Sequence, residues 1–249
     1  MKKVIISIIG VLLVSAALFF CFKYFRGEMN GNSSPSSDRP EADKVTWDAD
    51  HKYDGPAQDG EADDTSQQFA GMLKSTTGMD YNPQNIVSDG KAIRTGACSY
   101  KVTSWSISKE YPGYALPEGH TPLSESPGAT VDENGNITND FSYVVVNMEV
   151  ENMTPEAYIQ YIWGTTRLES IGTGAGQYIG EVTYLGDNRP VSQDYFLETI
   201  EANGKKEMPL IFVVKDEYVE DNQLYIVVNP SGAADTNSDY DVKRYIFLT

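Results

Sequence analysis

The stretch FSYVVVNMEVEN, residues 141–152, determines the fold class because its apolar and polar residues alternate. Its apolar positions form one set of four residues: Val144, Val146, Met148 and Val150. The intervening positions, which begin with Tyr143, are mostly polar. Successive side chains of a β-strand point to opposite faces, so the pattern predicts a strand with one face in a core and the other mostly in solvent.

A second stretch, LIFVV at residues 210–214, is apolar at every position. Such a strand needs cover on both faces and is therefore predicted to lie in the interior of a sheet. From residue 85 onward the chain consists of short β-type runs separated by turn residues, which is typical of an all-β sandwich or barrel. Besides 141–152, the predicted strands are 86–94, 98–108, 157–163, 166–171, 178–185, 195–200, 206–214, 224–229 and 241–248.

Two Asn-Gly pairs, at 134–135 and 203–204, predict tight hairpin turns of type I′, because both residue types accept positive φ angles. The second pair is expected to join the run that ends at Ile200 to the run that begins at Lys206, so that these two strands pair with each other.

The sequence of segment 157–163 is compatible with a strand and with a helical turn. The preceding residues TPE, at 154–156, fit an N-cap followed by a first-turn proline and a first-turn acid. The β-branched and aromatic content of the segment favours the strand.

Four segments of the C-terminal part are similar to a known family of surface domains. They are SYVVVNMEVENMTPEAYIQYIWGTTRLES at 142–170, LETIEANGKKEMPLIFVVKDE at 197–217, NQLYIVVNP at 222–230 and KRYIFLT at 243–249. Over residues 95–249 the chain resembles the uncharacterised immunoglobulin-like domains, of unknown function, found on membrane-anchored and lipoprotein surface proteins of Gram-positive bacteria. The resemblance implies an immunoglobulin-like antiparallel β-sandwich at the cell surface, and it supplies no catalytic residues.

The N-terminal run from Val4 to Phe22 carries no charged residue and is apolar except at Ser7 and Ser15. As a helix it would be about 28 Å long at roughly 1.5 Å per residue, close to the hydrocarbon thickness of about 30 Å. Residues 1–26 are therefore predicted to form a transmembrane helix that anchors the protein in the cell membrane. The basic residues on its two sides nearly balance, and the amino group of Met1 tips the prediction towards a cytoplasmic N-terminus. The protein is thus expected to be single-pass, with an extracytoplasmic C-terminal domain.

Two alternatives to this anchor are disfavoured. A cleaved signal peptide ends in small residues, whereas Ala16 and Ala17 lie inside the apolar run. A lipoprotein cysteine requires small residues before it, whereas Phe19 and Phe20 precede Cys21.

The remainder of the chain is strongly acidic. Four of the 19 basic residues and none of the 36 acidic residues precede Gly27, so residues 27–249 carry 15 basic and 36 acidic residues. Residues 27–84 are predicted to be a disordered acidic linker, because they combine negative charge with few apolar side chains. Residues 85–249 are predicted to be one β-sandwich domain. The charge would repel phosphate backbones, which excludes nucleic acid as a partner.

Few residue patterns point to chemistry. The two histidines, His51 and His120, are too few for a multi-histidine zinc site, and no catalytic or cofactor-binding residues can be assigned. Oxygen-bearing side chains crowd one loop and are weak candidates for calcium binding, although the loop does not fit the EF-hand template and a solvated hairpin explains it better. These candidates are Asp132, Asn134, Asn136 and Asp140.

Two functional classes are compatible with these features. The first is a non-enzymatic membrane-anchored surface protein that presents its β-sandwich to a protein or glycan of the cell envelope. The alternative is a hydrolase of cell-wall or extracellular polymer, which would need two carboxyl groups in a cleft, one of them with a raised pKa. The absence of a recognisable catalytic motif favours the first class.

Overall fold

The computed structural model describes residues 57–114, 128–172, 174–186, 195–220, 223–230 and 243–249. All of these belong to the second of two structural units, Trp47–Thr249. The predicted membrane anchor and the predicted linker up to residue 56 lie outside the described residues. Within the described ranges, no helix combines the length and the apolar character needed to cross a bilayer.

The described part of the chain is mostly β-structure. The strands are β1 (Ile86–Ser88), β2 (Ile93–Thr95), β3 (Cys98–Ser108), β4 (Phe141–Asn152), β5 (Tyr158–Tyr161), β6 (Thr166–Gly172), β7 (Gly174–Glu181), β8 (Tyr184–Leu185), β9 (Leu197–Ile200), β10 (Lys205–Lys215), β11 (Gln223–Val228) and β12 (Arg244–Phe247). One α-helix, α1 (Asp64–Thr77), and two short 3-10 turns, Pro83–Asn85 and Asp216–Tyr218, accompany them.

Two five-stranded sheets contain most of these strands. The first sheet has the order β1-β12-β11-β6-β7, and the second has the order β2-β3-β4-β10-β8. Strands β5 and β9 form a separate antiparallel pair. The other pairings are antiparallel except β1 with β12, which is parallel.

The main hydrophobic core lies between the two sheets. Val146 and Met148 of β4 are at most 1% exposed, and they belong to the same buried cluster as Ile226 of β11 and Leu168 of β6. This arrangement confirms the predicted β-sandwich. It also confirms the predicted inward face of β4.

Strand β10 is interior to its sheet and buried on both faces, as predicted from residues 210–214. Phe212 packs in the core between the sheets, while Ile211 packs on the other face beside Tyr143 and Tyr184. The prediction that Tyr143 lies on a mostly wet face is therefore wrong. The hairpin at 128–138 covers this face, and the Tyr143 hydroxyl donates a hydrogen bond to the Gly135 carbonyl at 2.9 Å.

Two predicted strands are each divided between the sheets. The predicted strand 86–94 is in fact β1 in the first sheet and β2 in the second. Gly90 lies between them with φ at 78°, and its N–H donates to the Val102 carbonyl. The predicted strand 178–185 likewise corresponds to parts of β7 and β8, which belong to different sheets. Period-two patterning cannot reveal such a crossing, because it reports which way side chains alternate along the strand and not the sheet to which the strand belongs.

The prediction for the Asn-Gly pair at 203–204 is correct in that the chain turns there, but it is wrong for the turn type and for the pairing. Only Asn203 of the two residues has a positive φ, so the turn is not type I′. Ile200 is paired with Tyr158 of β5, whereas β10 is paired along its whole length with β4. Asn203 adopts φ 51° in a turn that carries the chain from one sheet to another. The pair at 134–135 does form a hairpin turn, but only Gly135 has positive φ, so the turn is not type I′.

The prediction of disorder up to residue 84 is wrong for a segment within the described residues. Residues 64–77 form α1, which packs on the outer face of the first sheet. Phe69 stacks on Phe247 with 3.7 Å between ring centroids, and Leu73 is fully buried. Tyr225 is 2% exposed beneath this helix. A short apolar face is sufficient to stabilise this helix because the sheet provides a matching apolar surface.

The N-cap of α1 makes a pH-dependent contribution to stability. Asp63 accepts a hydrogen bond from the Ser66 N–H at 2.8 Å and pairs with Lys91. The bonds from Lys91 and then Ser66 lower the pKa of Asp63 to about 2. We expect Asp63→Ala to lower the free energy of unfolding by about 1 kcal/mol at pH 7. Because the folded-state pKa is depressed, this difference should be full above about pH 5 and narrow between about pH 4 and pH 2.

Urea unfolding at several pH values measures this effect. Asp64→Ala is the matched control, because Asp64 is exposed in the first turn and is not the capping residue. Its effect should remain within about 0.5 kcal/mol. Equal losses from both substitutions would contradict the capping role of Asp63.

Candidate functional site

The loop that carries the calcium candidates is held together by its own hydrogen bonds. One carboxylate oxygen of Asp132 accepts from the N–H groups of Asn134 and Asn136, both at 2.9 Å. Its other oxygen accepts from the Asn136 side-chain amide at 3.0 Å. These bonds lower the pKa of Asp132, and the bond from the Asn136 side chain has the largest effect. Asn136 in turn accepts from the Tyr111 N–H at 3.0 Å. The carboxylate therefore shapes the turn.

The structure brings Asp132, Asn134 and Asn136 together, while Asp140 lies next to β4 and accepts the Asp216 N–H through its carbonyl. Among the residues that the structure describes, no three His, Cys, Asp or Glu side chains converge as metal ligands would. The preference for a solvated hairpin over a calcium site at this loop stays a prediction.

Carboxyl groups with altered acidity are relevant to the hydrolase alternative. In the described ranges, four aspartates have a shifted pKa, and each is lowered: Asp59, Asp63, Asp132 and Asp216. A general acid that works near neutral pH needs a shift in the opposite direction. The most deeply buried carboxylate, Glu198, is 1% exposed and pairs with Lys206, which lies on β10.

The most distinctive surface feature is an exposed tryptophan after β5. The chain leaves β5 at Tyr161 and turns through Ile162–Thr165. Trp163 has φ −63° and ψ 128°, and Gly164 has φ 84° and ψ −18°, which are the angles of a type II turn. The turn leaves Trp163 50% exposed and Tyr161 38% exposed. Glycine suits the second central position because φ is positive there.

Groups from three other parts of the sandwich hold this turn. The Gly164 N–H donates to the Glu181 carboxylate of β7 at 3.1 Å. The Ile162 N–H donates to the Phe196 carbonyl at 2.9 Å, and the Asn229 N–H donates to the Thr165 carbonyl at 2.7 Å. Bonds from several directions restrict the conformations that the turn can adopt.

A buried chain of side-chain hydrogen bonds supports the same turn from inside. The Tyr100 hydroxyl of β3 donates to Gln160 at 3.0 Å, and the Gln160 amide donates to the Thr165 hydroxyl at 3.2 Å. That hydroxyl donates to the Tyr161 carbonyl at 2.7 Å. Tyr100 and Gln160 are 1% and 2% exposed, and burial raises the pKa of Tyr100, which keeps it a donor. This series of hydrogen bonds connects the turn to β3 and therefore to the second sheet.

Aromatic rings behind the turn connect it to the core. Tyr161 meets Phe196 edge-on at 6.3 Å, and Phe196 meets buried Tyr195 at 4.8 Å between centroids. The Tyr195 hydroxyl accepts from the Leu185 N–H at 2.7 Å. We refer to the exposed Tyr161 and Trp163, with the half-buried Phe196, as the aromatic rim.

Sequence reasoning did not identify this site. It placed residues 157–163 in a strand, with a helical turn as the alternative; the structure has a strand up to Tyr161 followed by a non-helical turn. A signal was present in the dipeptide Trp163-Gly164, because glycine favours the second central position of a type II turn. Exposure of the indole depends on the tertiary fold and is not visible in the sequence.

No family model and no curated protein matches this chain. Among solved structures, the chain is similar to the yjhA protein from Bacillus subtilis, with 16% identity, 66% of this chain and 99% of that chain covered, and a TM-score of 0.41. A conserved hypothetical protein from Bacillus anthracis has 12% identity, coverages of 57% and 89%, and a TM-score of 0.35. An uncharacterized beta-sandwich protein from Clostridium difficile has 12% identity, coverages of 66% and 94%, and a TM-score of 0.32.

Proposed function

We propose that this chain is a non-enzymatic, membrane-anchored surface protein that presents its β-sandwich as a binding module, with the aromatic rim as its binding surface. The observation that carries the proposal is Trp163, which is 50% exposed on a turn held by several strands. A large aromatic side chain in water forgoes the free energy that its burial would provide. Trp and Tyr are also the residues most enriched at binding hot spots.

The distribution of exposed apolar side chains supports this choice. Within the described ranges, four large apolar residues are substantially exposed: Met79, Ile107, Tyr161 and Trp163. Two of the four belong to the aromatic rim, and they are two residues apart in the chain. Such grouping is expected of a recognition surface, whereas scattered apolar residues are ordinary.

The proposed sandwich is immunoglobulin-like, and the order of its strands supports this finer assignment. In immunoglobulin domains, strands A, B, E and D form one sheet, and G, F and C form the other, which extends through C′ in variable-type domains. The order β3-β4-β10-β8 corresponds to A-B-E-D. The order β12-β11-β6-β7 corresponds to G-F-C-C′.

The proposed partner is a component of the envelope of a Gram-positive cell. The predicted anchor, Val4 to Phe22, would hold the sandwich outside the membrane. The net charge of −17 would repel polyanions, so a nucleic acid is not a candidate.

A sedimentation experiment tests the proposal. Full-length protein in a non-ionic detergent is mixed with insoluble Gram-positive envelope, and the fraction that sediments is measured against protein concentration. We expect saturable binding that Trp163→Ala weakens at least tenfold, since a hot-spot truncation costs about 2 kcal/mol or more. Ile107→Ala is the control, because Ile107 is 40% exposed on β3.

The Ile107→Ala variant should bind as the unaltered protein does. Both variants should unfold at the same urea midpoint as the unaltered protein. Absence of saturable binding, or equal binding by the Trp163→Ala variant, would contradict the proposed function.

A further inference from the structure

The size of the aromatic rim restricts the partner that it fits. An aromatic side chain buries roughly 150–250 Å² when covered completely, so the exposed parts of Trp163 and Tyr161 together offer roughly 200 Å². A stable protein–protein interface buries about 800 Å² on each partner, around an apolar centre. The rim is much smaller than that, and its area suits one or two six-membered sugar rings.

Most charges on the strands that hold the rim are paired with charges of opposite sign, while the Glu181 carboxylate of β7 accepts a hydrogen bond from the Gly164 N–H. On β6, Arg167 bonds to Glu169 at 2.7 Å. On β9, Glu198 pairs with Lys206 of β10. Paired charges produce little local field to attract a charged ligand, while the overall negative charge repels polyanions. The electrostatics therefore favour an uncharged ligand over an anionic one.

The rigidity of the turn favours a ligand that is held by few contacts. Gly164, Ile162 and Thr165 are each fixed by a hydrogen bond to another part of the sandwich. Binding would then cost little conformational entropy on the protein side, which matters when the contact area is small. The C–H-bearing face of a sugar ring is apolar and complements the negative face of an aromatic ring.

We infer that the aromatic rim binds a neutral polysaccharide of the cell envelope by stacking Trp163 and Tyr161 against sugar rings. This inference rests on the proposed function and specifies its ligand. A protein partner and a phosphate-bearing polymer are the two competing ligands that an experiment must separate.

The same sedimentation assay separates them when the envelope is treated in two ways. Proteinase K removes proteins, and subsequent hydrofluoric acid removes polymers linked by phosphodiester bonds, so that the glycan framework remains. We expect binding that depends on Trp163 to survive both treatments and to change less than twofold between 50 and 500 mM NaCl, because a neutral ligand releases no counterions. Trp163→Tyr should retain binding within about tenfold, since it keeps an aromatic face.

Loss of the Trp163-dependent binding after proteinase K would identify a protein partner and overturn the inference. Loss after hydrofluoric acid together with a steep fall with salt would identify an anionic polymer and also overturn it. In both cases binding to untreated envelope would persist, so the proposed function would stand while its ligand changed. Absence of binding to untreated envelope would instead overturn both.

Discussion

Truncation of Phe212 to alanine is expected to lower the free energy of unfolding by about 3–5 kcal/mol. Phe212 is fully buried on β10 and lies in the core between the two sheets. It is in register with Val144 of β4, so its removal would leave a cavity at the centre of the second sheet. The loss combines the transfer of an aromatic ring to water with the cost of that cavity. Urea unfolding of the two proteins measures it.

Glu207→Ala provides the control on the same strand. Glu207 is exposed, so its truncation should change the free energy of unfolding by less than about 0.5 kcal/mol. A loss of less than about 1 kcal/mol for Phe212→Ala would show that this side chain is not enclosed between the sheets.

Replacement of Asn152 by aspartate should also destabilise the fold by about 3–5 kcal/mol at neutral pH, because it places an uncompensated charge in the interior. Asn152 is fully buried at the end of β4. Its amide nitrogen donates to the carbonyls of Glu156, Ile200 and Glu201 at 2.7, 3.1 and 3.1 Å. Its oxygen accepts from the N–H and hydroxyl of Thr154. In the variant, a carboxylate oxygen would face three carbonyl oxygens.

The pH dependence identifies the charge as the cause. Burial would raise the pKa of the new carboxyl above its unfolded value of about 3.9, so the folded state would bind more protons than the unfolded state. The deficit relative to the unaltered protein should therefore shrink as the pH falls from 7 to about 4. Asn147→Asp, on the outer face of the same strand, is the control and should cost less than about 0.5 kcal/mol. A deficit at position 152 that does not change with pH would contradict this explanation.

Strand positions were largely predictable because they depend on local pattern. The predicted bounds 98–108 and 141–152 coincide with β3 and β4. Tyr143 shows the limit of that reasoning. Its place in the alternation is on the polar side, yet it is fully buried because a distant hairpin covers that face.

Strand partners were less predictable than strand positions. The Asn-Gly turn at 203–204 fits a hairpin, but the flanking strands β9 and β10 pair with β5 and β4 instead. Turn residues set the direction of the chain locally, whereas pairing depends on which long strand offers the larger buried face. The segment of α1 was assigned to the disordered linker for a related reason, since its short apolar face is stabilised by the sheet beneath it.

The amino-acid sequence by itself determined a mostly β fold, the inward face of the central strand β4 and a strongly negative net charge. Each of these properties follows from the spacing of apolar residues or from the count of charged residues. Neither quantity depends on contacts between distant parts of the chain. Only the tertiary structure decided that Trp163 is exposed on a fixed turn while Tyr143 and Tyr225 are buried. The exposure of an aromatic ring depends on what the rest of the chain places over it, and residues remote in sequence supply that cover.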